Sequence, residues 1–491
     1  MEKSPEEVQR RHDNIVLALA CVGQFMVVLD VSVVNVALPS IGRQLHFTPS
    51  GLQWVVNAYV LAFAGFLLLG GRAADLFGRR RLFLLGTALF TAASLVGGIA
   101  TTSGMLTGAR VVQGLGGALL SPATLTIIIS TFRGPRLPKA LAAWGAVGGA
   151  GGATGALLGG VLTAELSWRW IFFINIPIGL AVFALAIGSI SELKHRQEGE
   201  KLDLVGALLV TSGLGSLVYG IVGTSQHPWG STTTLSWLLG AAVLLGFFLL
   251  WEARLASDPL VPLSFFANRG SNSTNFIMLL MGAAFFSMWY FLTLYFQEVL
   301  GWSALRSGLA FAPMAGAIIL FSQIAPRLLQ RVGAWVVILL GTGVTAIGFF
   351  ALSHLDASST YLSLVLPASL AISSGLGLLF GPLAAAATSG VAPDKAGLAS
   401  GMLNSSRQIG GSLGLAVLAT VAVSATSSRL GYHPTFGGAT QPDVASALIH
   451  GYATAFFVGT FITGTAFVAT LLLLPRDIAH HVRQAPVPLG E

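Results

Sequence analysis

Charge is what this chain has least of. Only 9% of its 491 residues are Asp, Glu, Lys or Arg, against about a quarter in soluble domains, while 54% are hydrophobic. That balance excludes an ordinary soluble domain and predicts a polytopic protein whose solvent is the lipid bilayer. A single cysteine, Cys21, rules out an intrachain disulfide and a cysteine metal cluster. Of nine histidines, eight fall in termini or loops and His450 stands at the lip of the last span, so none reaches the membrane core. An embedded metal enzyme therefore lacks its ligands, and histidine is not the intramembrane proton carrier. No G-x-x-x-x-G-K-[ST] loop occurs, so this polypeptide does not hydrolyse ATP. No cofactor and no metal are expected. Residues 1–13 have no apolar core, so no cleavable signal is expected and the first span serves as its own insertion signal. The formal charge of +7 is assigned to membrane orientation, and nucleic acid is not expected as a partner.

What the chain does have is long apolar runs. A span needs about 20 mostly apolar residues, and that rule predicts an all-α protein of fourteen transmembrane helices. Six run over residues 14–38, 50–71, 81–100, 104–130, 138–163 and 169–190. A charged break at 191–203 precedes two more at 204–223 and 233–253. A second polar break leads to the last six, at 271–299, 305–329, 334–353, 359–386, 395–423 and 446–474. The expected units are a six-helix bundle over 1–195, a two-helix insertion over 196–262, a second bundle over 263–476 and a tail over 477–491. With both termini in the cytoplasm, 20 of the 26 cations fall on the inner side and 4 in outer loops, leaving Arg110 and Arg407 inside spans. The bias fits the positive-inside rule; an error of one span would reverse the alternation from that point on.

Within the first span stands Asp30, in Leu29-Asp30-Val31-Ser32-Val33-Val34-Asn35. A carboxylate near the bilayer core costs about 2.5 to 3.5 kcal/mol on insertion scales. One reading is a helix-end acid satisfied by a neighbouring backbone or hydroxyl group. The other is an acid that lines a water-filled path or titrates. Between the second and third spans lies Gly71-Arg72-Ala73-Ala74-Asp75-Leu76-Phe77-Gly78-Arg79-Arg80-Arg81. Here Gly71 is expected to let two helices approach, Asp75 to accept from a helix N-terminus or an arginine, and Gly78 to permit a tight turn before the cations.

The spacing of Gly71, Asp75, Gly78, Arg79 and Arg80 resembles the loop signature of the major facilitator superfamily of secondary transporters. The Asp30 stretch is similar to the first-helix signature of its fourteen-span drug:proton antiporter branch. Arg110-Val111-Val112-Gln113-Gly114-Leu115-Gly116-Gly117 is similar to the fourth-helix signature, and residues 168–179 to the entry of the sixth. The resemblance implies two six-helix bundles, two inserted helices and a central cavity opened alternately to each side, with the binding site near the midplane. It also implies proton-driven efflux of amphipathic organic compounds through a bacterial cytoplasmic membrane. In that reading Asp30 is the proton-coupling carboxylate and Arg110 its partner. Protons, small-molecule substrates and the lipid bilayer are the expected partners, and a monomer is the expected state.

If helix 1 ends near Pro39 and helix 4 begins near Gly104, Asp30 and Arg110 lie about 13 and about 9 Å below the outer ends, at ~1.5 Å per residue. An arginine side chain spans that offset. In helix 5, Gly151, Gly155 and Gly159 repeat at i, i+4 beside Gly160, and form a close-packing stripe or part of the family's antiport signature. Ala156 stands where that signature carries proline. In the second half, Gly333 aligns with Gly78, but Gln330 replaces the acid. Arg407 either snorkels to the inner interface or serves an inner gate, and Glu298 is expected at the outer interface rather than buried. Candidates for the substrate cavity are Gln24, Asn35, Asn57, Tyr59, Gln113, Asn275, Trp289, Tyr290, Tyr295 and Gln297, polar or amphipathic groups on apolar helices. Alternatives to broad efflux are a dedicated exporter of one metabolite or self-made antibiotic, a uniporter, and a membrane enzyme or scaffold.

Overall fold

The computed structural model describes residues 5–133, 136–190, 202–224, 226–262, 265, 268–389, 391, 396–432 and 441–476. Backbone polar groups have no partner in lipid other than one another, so apolar runs of this length close into helices. In chain order these are α1 (Pro5–Gln44), α2 (Trp54–Phe77), α3 (Arg79–Gly98), α4 (Ser103–Thr131), α5 (Arg136–Glu165), α6 (Asn175–Ser189), α7 (Leu204–Gly223) and α8 (Thr232–Leu250). They continue with α9 (Arg269–Leu294), α10 (Ala304–Val332), α11 (Ala334–Leu352), α12 (Leu366–Thr388), α13 (Ala396–Leu430) and α14 (Pro442–Leu473). Among the described residues, thirteen helices are long and apolar enough to cross a membrane. The glycine-rich α5 lies outside that set, and its 30 residues occupy the place of the fifth expected span.

Starts are set by short polar side chains that accept from the first free amides. Thr102 accepts from Met105 N–H at 3.1 Å, Asp203 from Gly206 N–H at 2.8 Å, and Ser303 from Arg306 N–H at 3.2 Å. Stops of the opposite kind separate α2 from α3 and α10 from α11. There Gly78 (φ 97°) and Gly333 (φ 84°) take a backbone conformation that side-chain-bearing residues avoid. The two halves thus turn with the same device, although only the first carries the acidic motif.

Within the first half α1 packs on α5, and α2 and α3 both pack on α4. In the second, α9 packs on α13, and α10 and α11 on α12. The halves meet along two seams, α5 against α10 and α2 against α13. The inserted α7 lies against both α2 and α13, whereas α8 packs mainly on α7 and buries little of its own surface.

Two expectations are corrected. Helix α1 does not end near Pro39 but carries it inside and continues to Gln44. Proline removes one backbone hydrogen bond, and the extra turns are held by Trp168, whose indole donates to Gln44 Oε1, and by fully buried Leu38 and Ile41. On the α2 side of this motif, the glycine in close contact with α4 is Gly70, not Gly71. A Cβ on Gly70 would lie 2.1 Å from the Ala118 carbonyl oxygen, whereas one on Gly71 would meet Pro122 at an ordinary 3.7 Å.

The α5 glycines are spent on contact with both neighbours. A Cβ at Gly155 would lie 2.6 Å from Ser32 Cβ, one at Gly159 2.7 Å from the Val33 carbonyl, and one at Gly160 2.8 Å from the Ala304 carbonyl on α10. At Gly151 the nearest atom is Val28 Cγ1 at 3.1 Å. The Ser32 hydroxyl donates to the Gly152 carbonyl at 2.6 Å across the same seam. Overpacking such a seam costs about 1 to 3 kcal/mol. Gly155→Ala is therefore expected to lower the melting temperature of the solubilised protein. Gly152→Ala, whose Cβ meets nothing within 4 Å, should leave it within error, and equal effects at both positions would refute the seam.

Candidate functional site

The first-half bundle encloses an ionic cluster. Asp30 on α1 and Arg110 on α4 are 0% and 1% exposed, and the Arg110 Nη1 donates to Asp30 Oδ2. The same nitrogen donates to Gln113 Oε1 at 2.7 Å, and Arg110 Nε donates to the Val55 carbonyl at 2.9 Å. Gln113 Nε2 donates to Asp30 Oδ1 at 2.7 Å and to Ser94 Oγ on α3 at 2.7 Å. Asn175 Nδ2, at the start of α6, reaches Ser94 Oγ at 3.3 Å. The Tyr59 ring lies under the guanidinium, with Arg110 Cζ 4.3 Å from its centroid. A delocalised cation over an aromatic face gains attraction while shedding water.

These residues come from α1, α2, α3, α4 and α6, so the cluster sits inside one half and not between the halves. Both Asp30 oxygens already accept strong bonds. Each oxygen holds one side-chain donor, and the carboxylate has no exposed surface. Removing one member of a buried pair costs about 3 to 5 kcal/mol because the other is left unpaired in a medium of low dielectric. The arrangement thus ties one buried pair to the packing of α1, α2 and α4.

A cavity of about 520 Å³ lies at the end of the bundle that holds residues 42–50. Its walls come from the end of α1, the α1–α2 connection, α9 and the turn that follows it, α13, α14 and Gln226, and include Tyr290, Phe291, Tyr452, Arg43 and Glu298. Of the ten expected cavity residues, Tyr290 stands on this wall. Tyr59 and Gln113 belong to the ionic cluster. Gln24 accepts from Ser121 at 2.9 Å, and Asn35 and Asn275 donate to the Val31 and Ser271 carbonyls of their own helices at 2.9 Å each. Trp289 stacks on Phe311 at 4.4 Å, and Tyr295 donates to the Ser359 carbonyl at 3.4 Å. Asn57 and Gln297 tie the halves together. Asn57 accepts from Ser412 on α13 at 3.1 Å, and Gln297 donates to the Val36 carbonyl on α1 at 2.7 Å.

Glu298, expected at the interface, instead has a side chain only 5% exposed. Its Oε1 meets Arg43 Nη1 at 2.8 Å, so a cation from the first half accompanies it into the protein. Arg407 stays within α13, donating to Asn404 Oδ1 at 2.8 Å, with its guanidinium over Phe380 at 5.7 Å. In the loop motif Arg80 donates to the Ile187 carbonyl and Arg79 is half-buried. The Asp75 side chain lies outside the described residues, as do most of the charged break at 191–203 and the tail from residue 477.

Sequence reasoning missed four partners. Ser94 and Asn175 extend the cluster, and Asn175 was visible as an amide inside the apolar run 171–178. The others are Arg43, which looked like a loop cation, and Arg72, which meets Asp258 at 3.2 Å and ties α2 to the segment following α8.

Two helical bundles that meet along two seams, with an inserted helix against one of them and an acid–arginine pair enclosed within one bundle, are the architecture of a polytopic membrane transporter. The chain belongs to the Major Facilitator Superfamily, whose profile matches residues 20–415. It is 46% identical over 414 residues to a cephamycin export protein of Amycolatopsis lactamdurans, covering 84% of this chain and 85% of that one. It is 39% identical to a puromycin resistance protein of Streptomyces alboniger, covering 96% and 93%. A tetracenomycin C resistance and export protein of Streptomyces glaucescens is 33% identical, covering 83% and 76%. Among solved structures, a bacterial homologue of the lysosomal transporter Spinster superposes with TM-score 0.65 at 16% identity, covering 96% of this chain and 98% of that one. A D-xylose-proton symporter superposes with TM-score 0.64 at 13% identity, covering 95% and 98%. These two show the fold alone. The protein is a multi-pass membrane transporter with bacterial relatives.

If Asp30 and Arg110 are worth more together than apart, their substitutions will not add. Arg110→Gln alone is expected to lower stability by about 3 kcal/mol, and adding Asp30→Asn should recover a large part of that loss. Thermal unfolding of the two single variants and the double variant checks this, and strictly additive losses would show the pair to be uncoupled.

Proposed function

We propose that the protein exports amphipathic organic compounds by alternating access, driven by protons that enter through Asp30. Residues 1–195 and 263–476 are the two moving bundles in this reading, 196–262 is the inserted pair, and both termini are cytoplasmic. The observation that carries it is the Asp30–Arg110–Gln113 cluster, an acid held in the membrane and removed from the cavity. A group that only bound substrate would need to face it. A proton entering down 100 mV supplies about 2.3 kcal/mol from voltage alone, which is comparable to the strength of the bonds it must rearrange.

The cycle follows from the contacts. With Asp30 ionised, Arg110 is held by Asp30, Gln113 and the Val55 carbonyl, which fixes α1, α2 and α4 together. Protonation removes the charge that holds the guanidinium, and Arg110 then relies on Val55, Gln113 and the Tyr59 face. That loosens α1, the helix that also carries Val36 and Arg43 to the other half. Differential strength of the pair between two conformers is what lets a proton shift their balance. A narrower reading, a dedicated exporter of one compound, is favoured by the relatives' names, three of which each concern a single antibiotic.

In proteoliposomes with an imposed pH difference, the protein should concentrate a neutral and a cationic substrate alike. Asp30→Asn should reduce both to the rate of empty vesicles. An Asp30→Asn protein that still concentrates a neutral drug, at a rate following the pH difference, would place the coupling acid elsewhere.

A further inference from the structure

We propose that Asp203 and Glu252 form a proton-binding site apart from the first-half cluster, in which one proton bridges the two carboxyl groups and latches residues 256–262 across the seam between the halves. The proposal uses neither Asp30 nor the transport reading. Both side chains belong to the inserted pair, Asp203 at the start of α7 and Glu252 in the turn that follows α8, and they are 7% and 5% exposed.

Asp203 Oδ1 accepts from the Gly206 N–H and from the Trp251 indole, each at 2.8 Å. Its Oδ2 is buried and accepts from nothing. What stands beside that oxygen is another acid. A Cβ on Gly206 would lie 2.4 Å from Asp203 Oδ2 and 2.8 Å from Glu252 Oε1, so the two oxygens crowd one point, and the side chains are within hydrogen-bonding reach of each other. Two bare carboxylates placed so would repel where little water screens them, and neither could donate. A single proton turns the contact into a charge-assisted O–H···O bond and gives the orphaned oxygen its donor.

The surrounding charges do not replace that proton. Among the described residues no cation pairs with either acid. Arg72 on α2 meets Asp258 at 3.2 Å, Arg254 beside Glu252 is exposed, α7 carries no charged residue or histidine, and Arg407 on α13 donates to Asn404.

Glu252 also holds the segment that follows it. Its Oε1 accepts from the Leu260 N–H at 3.3 Å and its Oε2 from the Val261 N–H at 3.1 Å. Leu260 packs with Leu69 on α2 and Ala207 on α7, and Val261 packs against the cluster that holds Ala399 and Met402 on α13. The segment therefore touches both halves, and its place depends on where Glu252 stands. With the proton shared, Glu252 is drawn to Asp203 and the segment is seated. When rising pH removes the proton, two anions face each other and Glu252 carries the segment away from α7. The latch thus holds at low pH and loosens at high pH.

Two measurements on the purified full chain test the site. Difference infrared spectra with isotopically labelled glutamate should show a protonated carboxyl band at neutral pH. That band should be absent in Glu252→Gln and shifted or lost in Asp203→Asn, where an amide replaces the acid beside it. Hydrogen exchange of the peptide spanning 256–262 reads the latch, with wild type and Asp203→Asn compared at each pH. The variant keeps both bonds to Oδ1 and supplies a permanent donor in place of the proton. The two proteins should therefore agree at low pH, and the wild type should exchange severalfold faster at high pH. Should Asp203→Asn fail to fold, Glu252→Gln, whose amide can donate to Asp203, carries the same expectation. The lack of a protonated glutamate band, a band unmoved in Asp203→Asn, or wild-type exchange no faster than the variant's at any pH would each overturn the proposal. Neither measurement involves transport, so a failed test of Asp30 in vesicles would leave these outcomes untouched.

Discussion

The structure of the first half depends on one carboxyl group enclosed where it has no exposed surface. Asp30 is fully buried, and the isolated charge would be too costly for the bundle to hold. Arg110 cancels it, but Arg110 brings its own donors, which must also be met. Gln113, the Val55 carbonyl and the Tyr59 face meet them. Each of those partners belongs to a helix whose position is thereby fixed. The glycines of α4 and its neighbours are part of the same requirement. A Cβ at Gly114 would lie 2.4 Å from the Tyr59 carbonyl, so only a bare backbone lets α2 come near enough to α4 for Tyr59 and Val55 to reach Arg110.

A second consequence concerns how the halves communicate. The ionic cluster and the cavity share no residue, yet α1 contributes to both, with Asp30 in one and Arg43 in the other. The seam of α1 on α5 is made of Ser32, Gly155 and Gly159, and Gly160 carries the contact on to α10. In the proposed cycle a protonation event therefore needs no contact with the cargo. It needs a helix that cannot move alone. The inserted α7 lies across the seam between α2 and α13, where its Ile221 carbonyl accepts from Thr420 on α13 at 3.3 Å.

Helix placement was legible in the sequence because bilayer thickness sets a length that polar breaks interrupt. The Asp30–Arg110 pairing was legible because two buried charges of opposite sign on one half need each other. The depth arithmetic behind it was not sound, since α1 continues past Pro39, yet the two side chains meet. What stayed hidden were contacts whose partners are distant in sequence and ordinary in type. Glu298 looked interfacial from its place near the outer end of its span, and Arg43, which meets it, is 255 residues away. Asn35 and Asn275 looked available for cargo, yet in a medium without water an amide turns to its own helix's carbonyl one turn back. Gly71 and Gly70 could not be told apart without the position of Ala118.

The central claim is that Asp30 itself takes up and releases the proton. The most direct measurement is difference infrared spectroscopy of the purified protein with isotopically labelled aspartate, recorded as pH is lowered and again as substrate is added at low pH. The account predicts a protonated carboxyl band that appears on acidification, is absent in Asp30→Asn, and diminishes when substrate binds. An Asp30 carboxylate that remains ionised throughout the pH range over which transport changes would contradict it.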